Sequence, residues 1–332
     1  MKSLYAFELS GEHPTIPKSE ALALLEIYSS EYRVISSLDR CLIVEASDLD
    51  LDIGARLAMT HRILQVQSMV DADLVAIMDA AAELDIPKLR YKVRAKRLGL
   101  ATLPNDLVER KVGSILWKRG YQADLKDPEI EIRVLTTEEK AILGLEIARV
   151  DRGTFEMRRP HLKPFFHPGA MGPRMARALV NMARLKGGER LLDPFSGTGG
   201  FLVEAGLMGI RGVGVDAQEY IVRGAKANLP GLPCDLIAGD ARRIPLRSCS
   251  IEGAVSDAPY GRSARIEAES RDELLVRSLE ELYRVLIPGS YMVFVDDRSI
   301  GDVIKESGFD VVEVHEERVH RSLTRHIYVS CR

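Results

Sequence analysis

A carboxylate, a peptide carbonyl, a rigid turn and an aromatic ring stand together in Asp257-Ala258-Pro259-Tyr260, directly after the apolar run Gly253-Ala254-Val255-Ser256 and before Gly261. These residue types suit chemistry at the exocyclic amine of guanine or adenine. That amine is a poor nucleophile, because its lone pair is delocalised into the ring. The Asp257 carboxylate and the Ala258 carbonyl can accept hydrogen bonds from its protons and draw the lone pair toward an electrophile. Asp257 can also receive the departing proton. Pro259 fixes φ and shapes the turn. Tyr260 offers a face on which a base stacks, a contact worth about 1–3 kcal/mol. In-line positioning would supply much of the remaining rate. Alone, the tetrapeptide reads equally as a Pro-Tyr turn that closes a strand, so its meaning depends on what lies upstream.

Upstream stands Leu191-Leu192-Asp193-Pro194-Phe195-Ser196-Gly197-Thr198-Gly199-Gly200-Phe201. An apolar strand enters a Gly-rich turn, and the turn enters a helix. Glycine lets the backbone turn tightly and approach a ligand, and the helix start offers free N–H groups to an anion. With a methionine-containing cofactor that anion is the carboxylate, and Asp193 is placed to take the methionine ammonium. The next strand ends in Asp216-Ala217, at a spacing suited to ribose hydroxyls. A third strand ends in Gly239-Asp240-Ala241, where an acid can accept from the adenine amine. His167 and Pro168 precede the first helix of this half. The expected cofactor is S-adenosyl-L-methionine. GxxxxGK[ST] is missing, which excludes a P-loop. A nicotinamide fingerprint is disfavoured by Asp193-Pro194-Phe195 ahead of the first glycine.

These residues require strands alternating with helices, and from 173 the sequence supplies them. PRMARALVNMARL, GGFLVEAGLMG and EYIVRGAKANL read as helices; RLLDP, RGVGVD, DLIAGD, GAVSDAP and SYMVFVD read as strands. DELLVRSLEELYRVL is amphipathic, with Leu275, Leu279, Leu282 and Leu286 expected on one face. DVVEVHEER and RHIYVSCR read as closing strands. The expected fold is α/β, a doubly wound, mostly parallel sheet.

The first half lacks a regular βαβ rhythm and reads as α+β. LYAFEL, CLIVEAS, LRYKVRAKRLG and DPEIEIRVL are expected strands. PKSEALALLEIYS, DLDLDIGARLAM, DADLVAIMDAAAEL and the segment after Pro104 are expected helices. Lys88 to Arg119 is strongly basic and opposed only by Asp106 and Glu109. Lys92, Arg94, Lys96 and Arg97 alternate along a strand, and Lys118 and Arg119 close the following helix. In a chain of net charge −3 this positive charge is segregated, which suits a phosphate-tracking patch better than a merely solvated face. Residues 149–168, rich in Arg, Pro and His, read as a linker.

At 332 residues, with 46% hydrophobic and 29% charged, the chain has material for two globular domains. Four scattered cysteines form no CxxC pair, so no metal site or disulfide framework is expected, in keeping with a cytoplasmic location. An apolar signal core and a membrane-length apolar run are both missing, so no membrane association is expected.

Asp257-Ala258-Pro259-Tyr260 resembles the (Asp/Asn/Ser)-Pro-Pro-(Tyr/Phe) motif of amino methyltransferases, with Ala258 at the first proline. Phe165-Phe166-His167-Pro168-Gly169-Ala170-Met171 resembles the segment that packs over the methionine end of the cofactor in that group. YKVRAKRLG, LVERKVGSILWKRG and ADLKDPEIEIRVL resemble a THUMP domain. Taken together, the chain resembles archaeal THUMP-containing tRNA guanine-N2 methyltransferases acting on guanosine at tRNA position 10. The resemblance implies a ferredoxin-like module over 1–52, a THUMP domain over 53–148 and a class I, Rossmann-like methyltransferase domain over 169–332. It also implies N2-methylguanosine and N2,N2-dimethylguanosine as products, and a small zinc-binding activator subunit on the catalytic domain. The third strand, expected at the sheet edge, offers such a subunit a place for strand addition. Methylation of another guanosine, at tRNA position 6 or in ribosomal RNA, shares this plan. A tRNA-binding protein with a silent catalytic half is the alternative from another class.

Overall fold

The computed structural model describes residues 2–260 and 270–332; Gly261 therefore lies outside the described residues. The chain divides into two units near Asp151/Arg152, with Leu22–Ile27 and Arg56–Met59 grouped with the second.

The first unit contains β1 (Lys2–Leu9), α1 (Ile16–Tyr28), β2 (Glu31–Leu38), β3 (Cys41–Ser47), α2 (Ile53–Arg56), β4 (Thr60–Asp71), α3 (Leu74–Glu83), β5 (Tyr91–Arg97), α4 (Asn105–Lys118), β6 (Ile130–Thr136) and β7 (Lys140–Arg149). Its strands form one seven-stranded sheet in the order β2-β3-β1-β4-β7-β6-β5. Only β5 and β6 run parallel; the other neighbours are antiparallel. The sheet continues across the expected 52/53 boundary, since β1 pairs with β4 through Ala6↔Leu64 and Phe7↔Ile63. Three of its strands, β2, β4 and β7, were not among the sequence expectations. β4 lies between β1 and β7 and takes its order from partners far away in the chain, which a local pattern does not reveal. DLDLDIGARLAM, expected to be a helix, is helical only at Ile53–Arg56. The Asp50 carboxylate accepts from the Asp52 N–H at 3.0 Å, a local bond that competes with helix.

The second unit contains α5 (Gly153–Glu156), α6 (Pro173–Met182), β8 (Arg190–Asp193), α7 (Gly200–Leu207), β9 (Arg211–Asp216), α8 (Glu219–Ala225), β10 (Cys234–Ala238), β11 (Ile251–Asp257), α9 (Arg271–Val285), β12 (Leu286–Asp296), α10 (Gly301–Glu306), β13 (Asp310–His320) and β14 (Leu323–Cys331). The sheet order is β10-β9-β8-β11-β12-β14-β13. The first five strands are parallel, and β14 inserts antiparallel between β12 and β13. Central strands are apolar on both faces, as strands covered on two sides must be: Met292, Val293, Phe294 and Val295 are all fully buried. Ser270 caps α9 by accepting from the Glu273 N–H at 3.0 Å. Leu275, Leu279 and Leu282 face the core as expected, but the helix ends at Val285 and Leu286 is the first residue of β12. Residues 152–168, expected as a linker, group with this unit. Glu204, 1% exposed on α7, accepts from Arg158 and Arg177, each at 2.9 Å, and so anchors that segment.

Candidate active site

The parallel strands all point their C-terminal ends at one edge of the sheet, so the strand-end acids converge there. They surround a cavity of about 400 Å³, within the usual range for a small-molecule site. Its lining includes His167, Pro168, Asp193, Pro194, Phe195, Ser196, Gly197, Thr198, Asp216, Ala217, Asp240, Ala241, Asp257, Ala258, Pro259 and Tyr260. Gly199 lies behind the wall as the left-handed residue, φ +77°, that starts α7. Gly197 also has positive φ, +47°, and together the two glycines turn the chain from β8 into α7. Gly214 on β9 makes the close approach to this turn: a Cβ there would lie 2.8 Å from that of Ser196 and 2.6 Å from Leu202 Cδ1.

Asp193 is 1% exposed. Its Oδ1 accepts from Ser256 Oγ at 3.0 Å and the Phe195 N–H at 3.2 Å. Burial, aided by repulsion from Asp216 and Asp257, pushes its pKa up to about 8. A carboxyl so raised is stabilised as the anion by an incoming cation. Asp216 is held by the Gly197 N–H at 3.0 Å and the Gln218 N–H at 2.9 Å, one on each oxygen. Further lone pairs remain for ribose hydroxyls. Ser196 Oγ is buried in the wall of this cavity with no hydrogen-bond partner among the described residues. An orphaned hydroxyl, a buried acid in need of a cation and a ribose-type acid fit S-adenosyl-L-methionine. Asp240 fits less simply. Its carboxylate caps the turn Ala241–Arg243 and accepts twice from the Arg242 guanidinium, at 2.7 Å from Nη2 and 3.0 Å from Nε. An adenine amine there must share the carboxylate with Arg242.

Asp257 ends β11. Tyr260 donates its hydroxyl to Asp257 Oδ1, and Arg325 Nη2 pairs with Oδ2 at 3.3 Å. Burial raises the Asp257 pKa to about 6, against the pull of Arg325 and of the Tyr260 hydrogen bond. Burial and the Asp257 charge also raise Tyr260 above the usual phenol range. The Ala258 N–H donates to the Val295 carbonyl at 3.0 Å, extending the β11–β12 ladder by one residue. A proline at this position has no N–H and cannot make that bond, so the ladder holds the turn here. Met171, in the segment that resembles the cover of the methionine end, lines the cavity too, as do Arg325, Arg242, Gln218 and His320, which were not singled out from sequence. Arg325 stands in an alternating strand with no motif around it, and no local signal marks it.

In the first unit, Lys92, Arg94 and Lys96 share the face of β5 opposite buried Tyr91, Val93 and Ala95. β5 is an edge strand, and the Glu109 carboxylate accepts from the exposed-edge N–H of Ala95 at 3.0 Å. The positive charge is less segregated in space than along the chain. Lys92 pairs with Glu131 at 3.7 Å and Arg94 with Glu109 at 3.1 Å. Arg119 commits Nη1 to the carbonyls of Leu84 and Ala81, at 2.7 and 3.2 Å. Lys96, Arg97 and Lys118 have no carboxylate within ion-pair distance among the described residues.

The fold and the crevice define an S-adenosylmethionine-dependent methyltransferase. Residues 160–327 match the family model described as the RMKL-like methyltransferase domain. A protein of Methanothermobacter thermautotrophicus named tRNA (guanine(10)-N2)-dimethyltransferase is 34% identical over 330 residues, covering 97% of each chain. One of the same name from Methanocaldococcus jannaschii is 31% identical, covering 98% of this chain and 99% of that one. The crystal structure of TrmN from Thermus thermophilus has a similar fold across 99% of both chains, with a TM-score of 0.56 at 22% identity. The chain belongs to the family of tRNA (guanine(10)-N2)-dimethyltransferases. Among the described residues, no helix is long and apolar enough to cross a membrane, and no cluster of His, Cys, Asp and Glu is arranged to hold a metal.

Proposed function

We propose that this chain methylates the exocyclic N2 of guanosine at position 10 of tRNA, first to N2-methylguanosine and then to N2,N2-dimethylguanosine. The observation that carries the reading is Asp257-Ala258-Pro259-Tyr260 at the strand-end edge, in the wall of the same cavity as Asp193 and Asp216. Asp193 would hold the cofactor's ammonium, the turn Ser196–Gly199 its carboxylate, and Asp216 its ribose, with His167 and Pro168 closing the methionine end. When bound, S-adenosylmethionine supplies an electrophilic methyl group. The Asp257 carboxylate and the Ala258 carbonyl accept from the guanine amine and orient its lone pair. With a pKa of about 6, Asp257 is largely ionised at neutral pH yet close enough to it to act as a general base, and it takes the proton the amine loses. Tyr260 stacks on the base, once the amine has replaced its hydroxyl on Asp257. One N–H survives the first methylation and can still bind an acceptor for the second.

The two N-terminal modules, ferredoxin-like over 1–52 and THUMP over 53–148, would hold the tRNA through the phosphates. The unpaired cations Lys96, Arg97 and Lys118 lead, and Lys92, Arg94 and Arg119 contribute less. A small zinc-binding activator subunit would pair with β10. That reading is supported by β10 lying at the sheet edge, hydrogen-bonded among the described strands to β9 alone, with half-buried Leu236 and Ile237. The experiment is transfer of labelled methyl to unmodified tRNA, followed by nucleoside analysis. Both N2-methylated guanosines should appear, and tRNA with G10 changed to A should stay unlabelled. Undiminished labelling of that control overturns the position-10 reading. Asp257→Ala should abolish turnover while cofactor binding persists.

A further inference from the structure

We infer that Arg325 is a positioning residue of methyl transfer, its guanidinium holding the Asp257 carboxylate ionised and turned toward the amine. The inference rests on Asp257 being the acceptor proposed above. Arg325 lies on β14, and its side chain is only 9% exposed. Each of its three guanidinium nitrogens has its own partner. Nη2 meets Asp257 Oδ2 at 3.3 Å, Nε donates to the Tyr260 hydroxyl at 3.2 Å, and Nη1 meets Glu317 Oε2 at 3.1 Å. Glu317 sits directly across from Arg325 in the β13–β14 register, so the strand pairing itself aims the guanidinium into the crevice. A planar fork holds its donors in fixed, well-separated directions, whereas an ammonium's three donors rotate about a single compact charge.

The surroundings explain why Asp257 needs this cation. Asp296 stands at the end of β12 and Glu317 on β13, and the charge of each raises the Asp257 pKa. Asp296 has its own cation, Arg271 of α9, at 2.8 Å. Tyr260 contributes a hydroxyl and no charge. Of the groups acting on Asp257, Arg325 is the strongest that favours the anion. Without it, burial and the neighbouring acids push the carboxyl further toward the protonated form, and a protonated carboxyl cannot take the amine's proton. The two oxygens also differ in role. The guanidinium fixes Oδ2, while among the described residues Oδ1 carries only the exchangeable Tyr260 hydroxyl and is the oxygen the amine can claim.

The test compares the full chain with Arg325→Gln and Arg325→Lys in single-turnover transfer to unmodified tRNA between pH 5 and pH 9. Folding is checked by melting, and cofactor affinity is measured separately. For Arg325→Gln the acidic limb should move upward by about one pH unit or more; a one-unit move gives roughly a twofold loss at neutral pH and roughly a tenfold loss well below the limb, and both recover as pH rises. Arg325→Lys should keep the limb near its original place with a lower plateau. A pH-independent loss in Arg325→Gln, or none, overturns the inference and leaves a structural role. A second measurement needs neither variant to fold nor any acceptor RNA. The Asp257 carboxyl is titrated by carbon-13 NMR, assigned by its disappearance in Asp257→Asn. A midpoint below about 7 supports the inference, and one above it overturns it, because the carboxyl is then mostly protonated at neutral pH with Arg325 in place. If the protein methylates no tRNA while Asp257 titrates below about 7, the substrate reading fails, and what stands is the pairing of Arg325 with an ionised Asp257.

Discussion

Cofactor binding should release a proton, and Asp193→Asn should abolish that release. Asp193 is buried and its pKa is pushed up to about 8, so at pH 7 roughly nine-tenths of the carboxyl carries a proton. An ammonium arriving beside it favours the anion, and close to one proton, about 0.9, should leave for each cofactor bound. Calorimetric titration of S-adenosylmethionine at pH 7, in buffers of different ionisation enthalpy, reads this number as a slope. Asn cannot ionise, so its slope should fall to near zero. Loss of the charge-assisted hydrogen bond should also weaken binding by about 1.5–3 kcal/mol, roughly ten- to a hundredfold. The sign carries over to stability. The folded pKa lies above the unfolded value of 3.8, so the native state binds the extra proton. The stability this provides is complete below about pH 4 and is lost as pH rises through about 8. The melting temperature of the cofactor-free protein should carry that decline, and Asp193→Asn should remove it. A wild-type slope of zero, or an Asn variant that keeps the slope, would refute Asp193 as the ammonium partner.

Two further outcomes follow from geometry. Replacing Lys96, Arg97 and Lys118 together by Ala should lower the salt slope of tRNA binding by about 2, at somewhat under one per phosphate contact. Lys92→Ala with Arg94→Ala should lower it by less per residue, because those cations already pair with Glu131 and Glu109. Filter binding over a salt series separates the two sets, and equal slopes per residue would return the patch to a solvated edge. Gly214→Ala places a Cβ within 2.8 Å of Ser196, Leu202 and Leu236. Overpacking of this kind costs about 1–3 kcal/mol. Denaturant melts should show that loss together with weaker cofactor binding, because the Ser196 turn must move.

The catalytic sheet was readable from sequence because its signals are local. An apolar run, an acid and a turn recur at β8, β9 and β11, and each acid ends its own strand. The N-terminal sheet was readable only in part. β2 and β7 complete ladders with strands elsewhere in the sheet, and β4 spans two such partners. Propensity does not register pairings of that kind. The basic stretch shows the same limit. Lys88 to Arg119 is nearly free of acids along the chain, yet Asp124, Asp127 and Glu129 cluster on Arg90, and Glu131 on Lys92. The acids arrive from outside that stretch, with Glu131 on the parallel neighbour β6.

By itself, the sequence determined the order of strand-end acids, the Gly-rich turn and the Asp257-Ala258-Pro259-Tyr260 run, because each is a short stretch whose chemistry needs no distant partner. Tertiary structure alone decided the charge states and the orientation. Burial raises Asp193 and Asp257, and burial is a property of the packed sheet. The β11–β12 ladder steadies the turn at Ala258 through Val295, where sequence showed only a missing proline. β14, inserted antiparallel between β12 and β13, carries Arg325 to Asp257 from far along the chain. That contact depends on strand order and register, and no spacing in the sequence encodes it.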